Sequence, residues 1–413
     1  MATTSGGTIN PGTTAQISSG EVAVRNLVMS GAVLNIAPGG SMFDGQVDAG
    51  GLANLDSSSL IFGQPNIYGT LTGGTVSGSY AVVILRPGAV ANGLSAMSQG
   101  GIQVSSGATL KGGTVMAGGT SLAFAGGVVS GQTVVSGGIA RVGSGGVASG
   151  SILAGGVQTV LGGGRVVATV VQSGGRSDIL AGGAASGSTI ANGGTEQVAS
   201  GAVTSNAHTL SGGTLAISAG GSMFDGQVDA GGLANLDSSS LITGQPSIYG
   251  TLTGGTVSGS YAVVILRPGA VANGLSAMSQ GGIQVPSGAT LKGGTVMAGG
   301  TSLAFAGGVV SGQTVVSGGI ARVGSGGVAS GSILAGGVQT VLGGGRVVAT
   351  VVQSGGRSDI LAGGAASGST IANGGTEQVA SGAVTSNAHT LSGGTLAISA
   401  GDQCWRRNGR RKN

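Results

Sequence analysis

Paired glycines recur along this chain at a nearly fixed interval, and that interval restricts the possible fold more than any other feature of the sequence. Pairs begin at Gly137, Gly155, Gly174, Gly193 and Gly212, in steps of 18, 19, 19 and 19 residues. A second set, Gly145, Gly163, Gly182, the single Gly201 and Gly220, falls between them. Each period is cut into a short and a longer segment, with a glycine corner at each cut. Self-similarity near 20 residues marks a stacked solenoid, in which each repeat buries its apolar face only against its neighbours.

The side chains between corners follow the same rhythm. The fourth residue after the first glycine pair is Val142, then Val160, Ile179, Val198 and Ile217 in later periods. The third residue before each pair is Val134, Ile152, Val171, Ile190 and Thr209. Both columns are dominated by β-branched residues, which suit a pleated, half-buried surface. The adjoining column scatters through Arg141, Thr159, Asp178, Gln197 and Ala216, as a water-facing column would. One column points in and the next points out, the period-2 rule of strands. These features predict an all-β chain: a β-solenoid, read as a right-handed parallel β-helix of about 20 rungs. At ~4.8 Å per rung, such a stack would extend on the order of 100 Å.

Composition agrees. Of 413 residues, 93 are glycine, while charged residues make up 7% and aromatics 2%. A chain so poor in large side chains cannot fill a wide globular core, but a solenoid one or two side chains across needs only Val, Ile, Leu and Ala. Collagen would need glycine at every third residue and much more proline than the 7 present. An apolar content of 40% argues against disorder. Residues 1–401 carry 11 basic and 11 acidic side chains, so the net charge of +4 arises in the last twelve residues. A neutral body offers no electrostatic footprint for nucleic acid. The single cysteine, Cys404, forms no intrachain disulfide. No apolar run approaches the roughly 18 residues that span a bilayer. The first residues, MATTSGGTINPGTT, do not read as an export signal.

Taken in order, residues 1–39 read as diverged N-terminal rungs. Residues 40–220 then form a block that recurs at 221–401 with an offset of 181 residues. Three differences separate the copies: Phe62 becomes Thr243, Asn66 becomes Ser247, and Ser105 becomes Pro286. An offset of 181 is about nine and a half periods, so the phase must slip once per block. The slip is placed between Gly69 and Gly100, a segment holding Tyr80, Arg86 and Pro87. It reads as an irregular rung that resets register, with a protruding recognition loop as the alternative. Residues 402–413 break the pattern and hold five cations. They read as a frameshifted end or as a basic tail suited to an anionic surface.

Groups able to do chemistry are sparse. Asp44, Asp48 and Asp56, repeated as Asp225, Asp229 and Asp237, are the one concentration of acids. Asp44 and Asp48 could share a strand face as a carboxylate pair. Both also sit in corner contexts that favour aspartate, and no histidine or basic partner is evident nearby in sequence. His208 and His389 are one position in two copies, and a lone imidazole is not a metal site. Lys111 and Lys292 follow leucine and not the glycine of a phosphate-binding loop. No catalytic, cofactor-binding or metal-ligating residue is assigned, and the chain is read as a non-enzyme.

Rungs such as SGQTVVSGGIARVGSGGVA and GSTIANGGTEQVASGAVTS resemble the short repeats of AIDA-type autotransporter adhesins. The resemblance covers nearly all of residues 8–401. It implies a passenger domain on the surface of a Gram-negative bacterium, at the outer membrane or secreted, serving adhesion, autoaggregation or biofilm formation. It further implies, as partners, host or bacterial cell-surface molecules or a second copy of the chain. A dedicated glycosyltransferase that adds heptose to serine or threonine is implied as well. Members of the family carry a signal peptide and a C-terminal β-barrel translocator. Residues 1–413 show neither, so the resemblance implies a fragment of a longer gene or a stranded copy. A β-helix enzyme acting on polysaccharide, or a purely mechanical spacer, are the competing readings.

Overall fold

The computed structural model describes residues 3–399 and 403–405. Among them every regular element is a strand of two to four residues, and the ladders are parallel. The chain divides into two compact units, Met1–Ala207 and His208–Asn413, each a parallel β-solenoid with three sheets. With three strands per turn, the described strands make about 21 turns. No helix among the described residues is long and apolar enough to cross a membrane.

One turn of the first unit shows how the sequence builds the rest. It runs through Ile139–Val142, Val147–Ser149 and Ile152–Ala154. Val157–Val160 then stacks on the first strand with Val142 opposite Val160. Ala140, Val142, Ala148 and Leu153 point inward and are buried. The predicted column Val142, Val160, Ile179, Val198 and Ile217 is buried at every position. The second column is corrected at one place. The 18-residue step shifts the register so that Leu153, and not Ile152, pairs with both Val134 and Val171. Leu153 is fully buried and Ile152 only partly. Asp178, expected to face water, is also mostly covered, because Arg176 binds it through Nε at 3.0 Å and Nη2 at 2.7 Å.

The paired glycines do two different jobs. Gly137 has φ +77 and occupies the third position of a turn closed by the Gly138 N–H donating to the Val135 carbonyl at 2.8 Å. Positive φ at that position defines a type II-like turn and favours glycine. Gly138 is constrained by space instead: a Cβ there would lie 2.2 Å from the Val115 carbonyl oxygen of the turn below. Left-handed corner residues also reverse the direction of their peptide. Strand N–H groups donate to the preceding turn, as Val147 N–H does to Gly127 O, whereas corner glycines donate onward, as Gly126 N–H does to Gly145 O.

A third corner, which the glycine pairs do not mark, splits the longer segment into two strands. Its left-handed residue is Gly131, Gly150, Ala168, Gly187 or Asn206 in successive turns, and Arg25 or Asp44 earlier, Gly45 after Asp44 being left-handed as well. The phase slip is a shift of one third of a turn. Four-residue strands occupy one face through Val33–Ile36 and Leu52–Leu55. From Val82–Leu85 onward they occupy the neighbouring face, where Asn66–Ile67 pairs with Ile84 and Leu85. The shift therefore begins slightly before Gly69 and is complete by Leu85. The second unit makes the same shift between Leu233–Leu236 and Val263–Leu266.

The interior is not wholly apolar. In the first unit Ser121, Gln132, Ser151, Gln158, Thr169, Ser177, Ser188, Glu196 and Thr204 are all buried. Ser121 donates to Gln132 at 2.6 Å, and Gln158 is held by Ser151 and Thr169 at 3.2 and 3.1 Å. The second unit repeats these bonds at Ser302–Gln313, Gln339–Ser332 and Thr350–Gln339. Such bonds offset the cost of burying polar groups in so narrow a core. The tail reading, frameshifted or basic, falls largely outside the described residues. Gln403–Trp405 alone forms a strand, in parallel with Val384–Ser386.

Candidate binding surface

The aspartates flagged in the sequence are built into corners, and Asp44 and Asp48 engage separate partners. Asp44 has φ 55 at the third corner; its Oδ1 accepts the Gln64 N–H at 2.8 Å, and Arg25 Nε lies 3.5 Å from Oδ2. Asp48, beyond the intervening strand Gln46–Val47, accepts from the Gln46 amide. Asp56 caps its own turn by accepting from the Ser58 hydroxyl at 2.6 Å and the Ser58 N–H at 2.8 Å. These bonds hold the exposed Asp56 carboxyl below its ordinary range. Asp56 shows the turn chemistry expected of aspartate, whereas Asp44 binds a backbone N–H of the next turn and Asp48 a neighbouring side chain.

The sequence reading, which found no basic or histidine partner for these aspartates, is corrected in both units, by Arg25 beside Asp44 and by a histidine beside Asp229. No histidine partner for an aspartate was evident from spacing, yet His208 Nε2 lies 3.0 Å from Asp229 Oδ2, with the Gln227 amide beside both. The residues are 21 apart in sequence and meet because one turn stacks on the next. The first copy has Leu27 opposite Gln46, where His208 stands opposite Gln227, so Asp48 has no such neighbour. Among the described residues no group of three or more His, Cys, Asp or Glu is arranged to hold a metal ion.

The slip segment projects the most exposed aromatic side chains. Tyr80 is 86% exposed and Tyr261 85%, both with φ 70. Each occupies the turn position that glycine holds at most other corners, and Ala81 and Ala262 close these turns onto Gly78 and Gly259. Sequence reasoning placed Tyr80 in this segment. It did not show that the residue takes a glycine slot, because an irregular rung gives no periodic position to compare. Arg86 and Arg267, by contrast, lie along the surface: Arg86 Nε donates to Asn66 Oδ1 at 2.8 Å, and Arg267 stands 5.9 Å from the Tyr249 ring centre.

A second outward feature is an apolar edge. Leu161 and Leu180 follow the four-residue strands of consecutive turns and are 37% and 40% exposed; Phe124, two turns earlier, is 41% exposed. In the second unit Leu342 and Leu361 repeat the edge at 37% and 39%. Serines such as Ser144 and Ser173 stand beside the glycines of the next turn, where a Cβ on Gly163 or Gly193 would lie 2.6 or 2.8 Å from their hydroxyls.

No family model and no curated protein matches the chain. Among solved structures, the chain is similar to the crystal structure of a TibC-catalysed, hyper-glycosylated fragment of TibA, residues 55–350. The two share 27% identity over 76% of this chain and 99% of that one, with a TM-score of 0.35.

Proposed function

We propose that this chain is the passenger portion of a cell-surface adhesin, exposed at the outer membrane or secreted, and that it works by binding without catalysing a reaction. The observation that carries the reading is the repetition of one outward surface. The Phe124, Leu161 and Leu180 edge recurs as Leu342 and Leu361, so a weak contact is offered several times on each chain. Repeated weak contacts convert to avidity when they engage together, which suits attachment to a cell surface or to a second copy. The AIDA-type repeats support the same reading from sequence. Serines beside the glycine corners, Ser144 and Ser173 among them, give a glycosyltransferase accessible hydroxyls in many turns.

The test is adherence of purified protein, immobilised on beads, to bacterial and epithelial cells and to itself. Replacing Leu161, Leu180, Leu342 and Leu361 together by serine is expected to reduce adherence by roughly tenfold or more, since avidity multiplies small losses. Wild-type beads that bind neither cells nor each other would overturn the reading.

A further inference from the structure

The second unit carries a groove whose walls suit one kind of ligand. It is an open cleft of about 420 Å³ lined by Phe224, Asp225, Thr243, Gln245, Ser260 and Tyr261. That volume lies within the range of small-molecule sites. Tyr261 reaches it from a backbone conformation that bulky residues rarely adopt, in a turn slot where glycine is the rule. The turn is braced from the next one by the Ser260 hydroxyl donating to Gln280 Oε1 at 2.8 Å, with Gln280 itself at φ 71. Two successive corners thus depart from glycine, and the first presents its ring to water. Phe224, 47% exposed, supplies a second aromatic wall. Asp225 Oδ1 accepts the backbone N–H of Gln245, and both residues line the groove.

We propose that this groove binds a neutral pyranose sugar, its apolar C–H face against Tyr261 and Phe224 and its hydroxyls shared between Asp225 and Gln245. Aromatic faces take the C–H side of a sugar ring, a carboxylate accepts from hydroxyls, and an amide can donate or accept. The uncompensated carboxylate disfavours anionic sugars. The first copy shows what opens the groove. There Phe62 stands in place of Thr243, and its Cδ1 lies 3.8 Å from where a Cβ on Gly78 would be. No atom lies within 4 Å of the equivalent point on Gly259. Exchange of phenylalanine for threonine removes that ring from beside the Gly259 corner, two residues before Tyr261. This inference rests on the adhesin reading and names the class of its ligand.

The full chain is titrated calorimetrically with four neutral disaccharides (lactose, maltose, cellobiose and diacetylchitobiose) and with sialyllactose. At least one neutral sugar is expected to bind, roughly tenfold or more tighter than sialyllactose. Tyr261→Gly should weaken that binding by about tenfold while leaving the melting temperature unchanged or raised, because glycine suits the slot. Thr243→Phe, which restores the ring of the first copy, should abolish it. Binding untouched by both variants, or no binding of any neutral sugar up to about 10 mM, overturns the proposal. Bead adherence measured in parallel separates the two readings. Adherence that survives without sugar binding removes the sugar site alone, and sugar binding without adherence removes the adhesin reading.

Discussion

Corner glycines look interchangeable in sequence, and the structure shows that they are not. A Cβ on Gly138 would meet the Val115 carbonyl oxygen at 2.2 Å, so Gly138→Ala must separate two stacked turns. The left-handed Gly131 has nothing within 4 Å, and the equivalent slot tolerates Ala168 and Asn206. Gly131→Ala is therefore expected to destabilise by about 1 kcal/mol, the ordinary strain of a left-handed alanine. Gly138→Ala is expected to destabilise by about 3 kcal/mol. Urea denaturation of the two variants checks this, and equal losses would contradict the assignment of separate roles. The pairs were legible in sequence because both reasons demand glycine at adjacent positions. The third corner was not, because its left-handed residue is satisfied by Gly150, Ala168 and Asn206 alike.

At the scale of the strand, alternation made the inward columns readable, and their β-branched residues named the fold. What alternation did not disclose is that inward positions also carry polar groups. Glu196 is fully buried in the strand Thr195–Val198, with Thr204 donating to its Oε1 at 2.6 Å and its Oε2 unpartnered. Burial pushes its carboxyl above the ordinary carboxylate range; the hydroxyls of Thr204 and Ser188 pull the other way, though only Thr204 makes a full hydrogen bond. A carboxyl with a raised folded value binds its proton more tightly in the folded state. Its contribution is fully present below the ordinary value near 4.5 and is lost as pH rises through the raised one. Glu196→Gln keeps an acceptor for Thr204 and cannot ionise. The variant is expected to melt higher than wild type at pH 7, with the gap closing toward about pH 4. A gap independent of pH would show that Glu196 is not the group responsible. The meeting of His208 with Asp229 was hidden for a related reason: contacts between stacked turns join residues about one period apart, and only the register reveals which pairs face each other.

At the scale of the whole molecule, stacked turns contact only their neighbours, so local stability depends on local sequence. Residues 106–220 and 287–401 are identical in sequence, and the interior bonds of one are repeated in the other. Peptides from these stretches have the same mass and are pooled in a hydrogen-exchange experiment. Those from well inside the two units are expected to give one isotopic envelope at each time point, since both copies open with the same free energy. Two envelopes separating with time would show that stability is set by more than adjacent turns. The same construction has a mechanical side. Within each unit the ladder bonds of all three sheets run along the stacking direction, from turn to turn. A pull on a terminal turn therefore loads the bonds of that turn before those behind it, and the stack opens as a zipper does. Each turn of 19 residues released in this way pays out roughly 65 Å of extended chain where it had occupied ~4.8 Å. A tether of this kind yields in steps under load, lengthening while its remaining turns stay folded.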